Sequence, residues 1–140
     1  MSMRLTHINQ WVHDQDEALA FYTEKLGMEL REDVTLPELG GFRWLTVSHP
    51  DQPDVALALL KIPGPPVFDE ETAEKLKDIV AKGAASGLFF ATDDINRVHE
   101  QLKSRGVEIV QEPTEQPYGV DMAVRDPTGN QIRVAQRTDV

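Results

Sequence analysis

The stretch DPTGNQIRVAQ, from Asp126 to Gln136, decides how this chain folds. Pro127 suits the second position of a tight turn, and Gly129 suits a left-handed one. VDMAVR before the turn and QIRVAQ after it alternate as strands do, so together they read as a hairpin. Working back, VEIVQ is another strand, and EPTEQPYG between it and the hairpin reads as a Pro-rich loop. GLFFAT (Gly87 to Thr92) is a strand that leads into a helix capped by Asp93 or Asp94. Ile95, Val98 and Leu102 share one face of that helix, and Gly106 ends it. This half of the chain therefore has the order βαβββ.

The first half has the same order. Leu5 to Val12 is a strand, and Asp14 or Asp16 caps a helix that carries Ala18, Phe21, Tyr22 and Lys25 at helical spacing. Gly27 stops it. Strands follow over Met28 to Val34, Phe42 to Ser48 and Val55 to Ile62, separated by turns with Pro37, Gly40, Gly41, Pro50 and Pro53. A Pro-rich connector, Pro63 to Pro66, then leads into a helix from about Glu70 to Lys82. One domain of 140 residues is expected, with module one at about 4–62, a linker segment at about 63–84 and module two at about 85–137. The fold class is α+β.

Composition narrows the function. Fourteen Lys plus Arg against 24 Asp plus Glu give a net charge of −10, which opposes phosphate backbones and anionic lipid. Neither a nucleic acid nor a membrane partner is expected. There is no cysteine, which removes disulfides, thiolate catalysis and Cys-based zinc sites together. No apolar run approaches a membrane span, and MSMRLTHINQ lacks the apolar core of a signal peptide, so a cytoplasmic location is expected.

Five segments carry a family resemblance: ALAFYTEKLGMEL (18–30), FRWLTVSHPDQP (42–53), ATDDINRVHEQLKSRGVEI (91–109), EPTEQPYG (112–119) and VRDPTGNQIRVAQ (124–136). In a duplicated βαβββ frame they resemble the vicinal oxygen chelate superfamily, which includes glyoxalase I, bleomycin resistance proteins and extradiol dioxygenases. That resemblance implies two curved mixed sheets that form a cup. In metal-dependent relatives, four side chains on the first and last strands of the two halves hold one divalent ion. Carried over position by position, they fall on His7, on Ala56 or Ala58, on Gly87 or Leu88, and on Arg133. Of these, His7 alone has a lone pair to give, because a guanidinium is always charged and has none. No cofactor is expected, and His7 is the one candidate metal ligand; a relocated site would join it to Asp121 or Glu112.

The resemblance therefore implies the family's scaffold without its usual chemistry. The expected function is bleomycin-resistance-like binding of a small, partly apolar molecule in the cup, by a homodimer. The alternative is a metal-dependent lyase or dioxygenase with displaced ligands, and whether the chain is an enzyme stays open. Candidate ligand-binding residues are His7, Asn9, Trp11, Trp44, Tyr118, Met122 and Arg133, with Phe89 or Phe90 adding aromatic surface. Arg133 is the candidate anchor for an anion or carbonyl, unless it pairs with Asp121 or Glu112. His7 is the candidate neutral-pH acid or base. His13, His49 and His99 read as a helix entry, a turn and a helix surface.

Overall fold

A computed structural model describes residues 1–138 of the chain. The elements are β1 (His7–Val12), α1 (Gln15–Ala20), β2 (Glu29–Leu36), β3 (Phe42–Ser48), β4 (Ala56–Lys61), α2 (Glu70–Ala81), β5 (Gly87–Ala91), α3 (Ile95–Ser104), β6 (Glu108–Gln116), β7 (Gly119–Arg125) and β8 (Gln131–Arg137). They form two mixed four-stranded sheets, ordered β1-β4-β3-β2 and β5-β8-β7-β6. In each, the outer parallel pair (β1 with β4, β5 with β8) is joined to an antiparallel run. The chain divides into two compact units, Met1–Glu74 and the remainder from Lys75, so the boundary falls inside α2.

In the first unit, α1 covers one face of its sheet. Asp14 caps the helix, its Oδ1 accepting from the Glu17 N–H at 3.0 Å, and the helix continues as a π turn over Phe21–Lys25. Tyr22 is fully buried, and its hydroxyl accepts from Gln10 Nε2 at 3.1 Å. Gln15 Nε2 donates to the carbonyls of Arg43 and Leu59, at 3.1 and 2.8 Å, which ties the helix to β3 and β4. Val12, Leu45, Val47 and Leu59 complete this core with no exposed surface. Burying aliphatic side chains of this size stabilises by roughly 1.5–3 kcal/mol each.

In the second unit, Asp94 caps α3, accepting from the Arg97 N–H at 3.1 Å. Ile95 and Leu102 of that helix are buried, as are Met122, Val124, Ile132 and Val134 of β7 and β8. The hairpin turn is held by Asp126. Its Oδ1 accepts the N–H groups of Thr128, Gly129 and Asn130 at 3.0, 3.0 and 2.9 Å, and its Oδ2 accepts from Asn130 Nδ2 at 3.0 Å. Gly129 has φ +116° and passes so close to the end of α2 that a Cβ there would lie 2.2 Å from the Ala81 carbonyl oxygen.

Two expectations need correction. Residues 112–116 are strand, not loop: β6 runs on to Gln116 despite Pro113. It is an edge strand, and its pairing with β7 shifts between Gln111 and Thr114, where a proline without an N–H is tolerated. Similarly, β2 extends two residues past Val34, to Leu36, before a short 3₁₀ turn.

Replacing Gly129 with Ala combines a backbone collision with a strained positive φ. Gly129→Ala is expected to cost roughly 2–3 kcal/mol in urea unfolding. Gly64→Ala is the control, because a Cβ there meets nothing within 4 Å; its midpoint should move little.

Candidate functional site

The two units present candidate residues separately. In the second unit the β-ladder sets which side chains share a face. Arg133 is paired with Phe89 on β5 and Ala123 on β7, and Asp121 is paired with Ala135. Side chains opposite one another across a ladder lie on the same face. Phe89, Arg133 and Asp121 therefore face the side away from α3. Met122 pairs with Val134 on the opposite face and has no exposed surface. It packs in the core under the sheet, away from the other candidates.

On the open face lies a cavity of about 440 Å³ lined by Phe89, Phe90, Ala91, Tyr118, Asp121, Arg133, Ala135 and Arg137. Phe89 is 81% exposed, unusual for a ring of this size. The small methyls of Ala91 and Ala135 leave the space. Arg133 also lines a neighbouring hollow of about 260 Å³ beside Gly87 and Gln131.

Asp121 organises the polar wall. Its Oδ2 accepts from Tyr118 Oη at 2.6 Å and from Arg133 Nη1 at 3.1 Å, while its Oδ1 accepts from Gln111 Nε2 at 2.9 Å and Gln116 Nε2 at 3.4 Å. The side chain is only 4% exposed. Burial pushes the carboxyl up, but the hydrogen bonds from Tyr118 and Gln111 and the Arg133 charge outweigh it, so it sits below its ordinary value. The same bond pushes the Tyr118 hydroxyl up. Of the two acids that could pair with Arg133, Asp121 does so. Glu112 instead lies against Nε2 of His99, whose side chain is 18% exposed, so His99 faces β6 rather than open solvent. Arg133 bonds through Nη1, to Asp121 and at 3.5 Å to Gln111 Oε1; its Nε and Nη2 have no partner among the described residues.

In the first unit, His7, Asn9 and Trp11 alternate onto one face of β1, with Ala56 and Ala58 beside them on β4. β4 separates β1 from β3, and on this face it offers only methyl groups next to His7 and Asn9. The rings of His7 and Trp44 therefore meet over it edge to face, at 5.0 Å. Trp11 sits edge-on to Phe68 at 6.1 Å. The residue that ties His7 to Trp44 is Glu32, which sequence reading missed. Its Oε1 accepts from Trp44 Nε1 at 3.1 Å and from Thr46 Oγ1 at 3.4 Å, with His7 Nε2 at 3.5 Å. His7 Nδ1 lies 2.9 Å from Thr6 Oγ1.

These residues do not fit the four-donor divalent site of metal-dependent relatives. His7 has both ring nitrogens against protein groups, the β4 positions are alanines, and Arg133 brings a cation. Among the described residues, no three His, Asp or Glu side chains are grouped to hold a metal ion. Among the described residues, no helix is long and apolar enough to cross a membrane.

A family model described as Glyoxalase/Bleomycin resistance protein/Dioxygenase superfamily matches residues 4–134. The uncharacterized protein YurT of Bacillus subtilis (strain 168) is 38% identical over 136 residues, covering 96% of this chain and 100% of that protein. Among solved structures, UcmS2 is 43% identical, with 96% of this chain and 98% of that chain covered and a TM-score of 0.86. TnmS3, an antibiotic binding protein from Streptomyces sp. CB03234, is 28% identical, with 98% of each chain covered and a TM-score of 0.74.

Because Asp121 sits below its ordinary pKa in the folded state, it stabilises above the pKa it has when unfolded, about 3.9. That contribution is lost as pH falls through the lower, folded value. Asp121→Asn should be less stable at pH 7 by about 2 kcal/mol, through weakened bonds to Tyr118 and Arg133. It should also lose less stability than wild type between pH 5 and pH 2, as measured by urea unfolding at each pH.

Proposed function

The chain belongs to the glyoxalase/bleomycin resistance protein/dioxygenase superfamily, and on that premise we propose that it binds a small, partly apolar molecule without the family's usual divalent metal. One observation carries this reading. An exposed aromatic ring, Phe89, shares a face and a cavity with a guanidinium that has donors to spare. A volume of about 440 Å³ suits a drug-sized ligand, and an apolar wall with few convergent polar groups is the usual make-up of such a pocket. The similar structure described as an antibiotic binding protein supports the same class of activity.

Each group has a role in this reading. Phe89 and Tyr118 give aromatic contact to a flat ligand. Asp121 fixes the guanidinium plane of Arg133 by taking one of its nitrogens, so the remaining N–H groups are aimed before a ligand arrives. That lowers the ordering cost of binding. The Asp121 carboxylate offsets the Arg133 charge locally, which favours a neutral carbonyl acceptor as readily as a full anion. Arg137 adds a second cation to the lining. Binding is expected to occur in a homodimer and in the cytoplasm.

The test is a panel of aromatic antibiotics and aromatic ketones screened by thermal shift, with calorimetry on those that stabilise the protein. Phe89→Ala and Arg133→Met should each weaken such a compound by about tenfold or more; Phe89→Ala should keep the wild-type unfolding midpoint, whereas Arg133→Met should lower it because the nearly buried Asp121 loses its cation. Stabilising compounds whose affinity neither variant changes would place binding elsewhere. In parallel, metal-stripped protein is reloaded with Zn, Ni, Mn or Fe. Stoichiometric, tight metal that disappears in His7→Ala would replace this reading with a metal-dependent lyase or dioxygenase.

A further inference from the structure

We propose that a groove at the end of the first sheet binds an apolar carboxylic acid, with Lys61 as the anchor. β3 and β4 run antiparallel with Thr46 opposite Ala58, so Phe42 at the start of β3 comes level with Ile62 just past the end of β4. Two loops meet there: the glycine turn that enters β3 and the Pro-rich connector that leaves β4. Between them lies a groove of about 880 Å³, inside the range of roughly 300–1,000 Å³ typical of small-molecule sites. Its charged groups belong to the face opposite His7 and Trp44. Lys61 alternates in step with Leu57 and Leu59, and Arg43 with Leu45 and Val47, all four buried on the side that α1 covers.

The walls of the groove are apolar and poor in donors. Leu39 and Val67 are 62% and 68% exposed, and Pro63, Pro65 and Pro66 bring no backbone N–H. The side-chain donors that line it are committed within the chain, except one. Arg43 gives Nε and Nη2 to Asp33 and Nη1 to Asp16. Gln15 gives its amide hydrogens to the carbonyls of Arg43 and Leu59. The Lys61 side chain is exposed and has no partner among the described residues. One uncommitted ammonium in an apolar groove matches one negative charge on an apolar body. A phosphate dianion would call for more donors, and the turn does not supply them, because the Gly40 and Gly41 N–H groups already donate to Pro37 and Leu36. A carboxylate on Lys61 would form a charge-assisted hydrogen bond, stronger than one between neutral groups. The net charge of −10 opposes anions at long range, but salt screens that field over about 8 Å at physiological ionic strength, so the local contact decides.

Every lining residue lies within Met1–Glu74, so the groove needs nothing from the second unit. Phenylbutyrate is the probe, with phenylbutyramide as its neutral isostere and phenylbutylamine as its cationic one. Binding is followed through the backbone amide resonances of Gly40, Gly41 and Gly64 at pH 7.5 and physiological ionic strength. Phenylbutyrate is expected to shift all three saturably, with the amide weaker by about fivefold, the factor an exposed ion pair supplies, and the amine weaker still. Lys61→Met keeps the reach of the side chain without its charge. It should bring phenylbutyrate down to the affinity of the amide and leave the amide itself unchanged. Lys61→Arg should retain the preference for the acid. Lys103→Met, which removes one exposed charge from α3, should change nothing and so separates the local contact from the overall field. Equal binding of acid and amide to wild type would overturn the proposal with no variant needed. So would full phenylbutyrate affinity in Lys61→Met. Shifts that centre on Gly87 and disappear in Phe89→Ala would also overturn it, by placing the acid in the cavity of the second unit.

Discussion

The Asp126 carboxylate is the constraint on which the second unit depends. Three successive backbone N–H groups converge on one of its oxygens, and the Asn130 amide takes the other. A turn held this way has no freedom to slip. A one-residue slip in a hairpin would move every side chain to the other face. The register it enforces puts Arg133 opposite Ala123 and Asp121 opposite Ala135. The same turn brings Gly129 against Ala81, which docks the end of α2. Placement of the polar wall and closure of the unit therefore follow from one side chain.

Within that frame, the carboxylates that matter differ in what neutralises them. Asp121 is nearly buried and fully engaged, with a guanidinium, a phenol and two amides around it. Such an acid is expensive to bury without partners, and its value lies in holding Arg133 and Tyr118 in fixed positions. Glu32 is half exposed, and its contacts among the described residues all fall on one oxygen.

Much of the frame was legible in the sequence because its signals are local. Asp14 and Asp94 cap where a helix start requires a side-chain acceptor, and Gly27 and Gly106 take the positive φ that ends those helices. The hairpin at Asp126 is equally local. What was not legible depends on pairing between distant segments. Whether Arg133 meets Asp121 or Glu112 depends on the register of β6 against β7, and that register shifts twice, between Ile109 and Gln111 and again across Pro113. Met122 was assigned to a pocket because alternation gives two faces without saying which one the helix covers. Within ELREDVTL nothing local marks Glu32. Its bond to Trp44 appears only once β2 and β3 are aligned across a further shift between Leu30 and Glu32.

Those alignments also determine how a carboxylate at position 133 would behave. Putting a carboxylate at position 133 would set it beside Asp121, an acid already held ionised by its hydrogen bonds. Two carboxylates at such range oppose each other's charge unless a cation is present, so the new acid would take up a proton instead. On the first sheet, Ala56 and Ala58 would also have to gain donors, and any longer side chain there would push apart the rings of His7 and Trp44. Each unit thus carries its own obstacle: the guanidinium of Arg133 in the second, and the β4 alanines with the Glu32–Trp44 bond in the first.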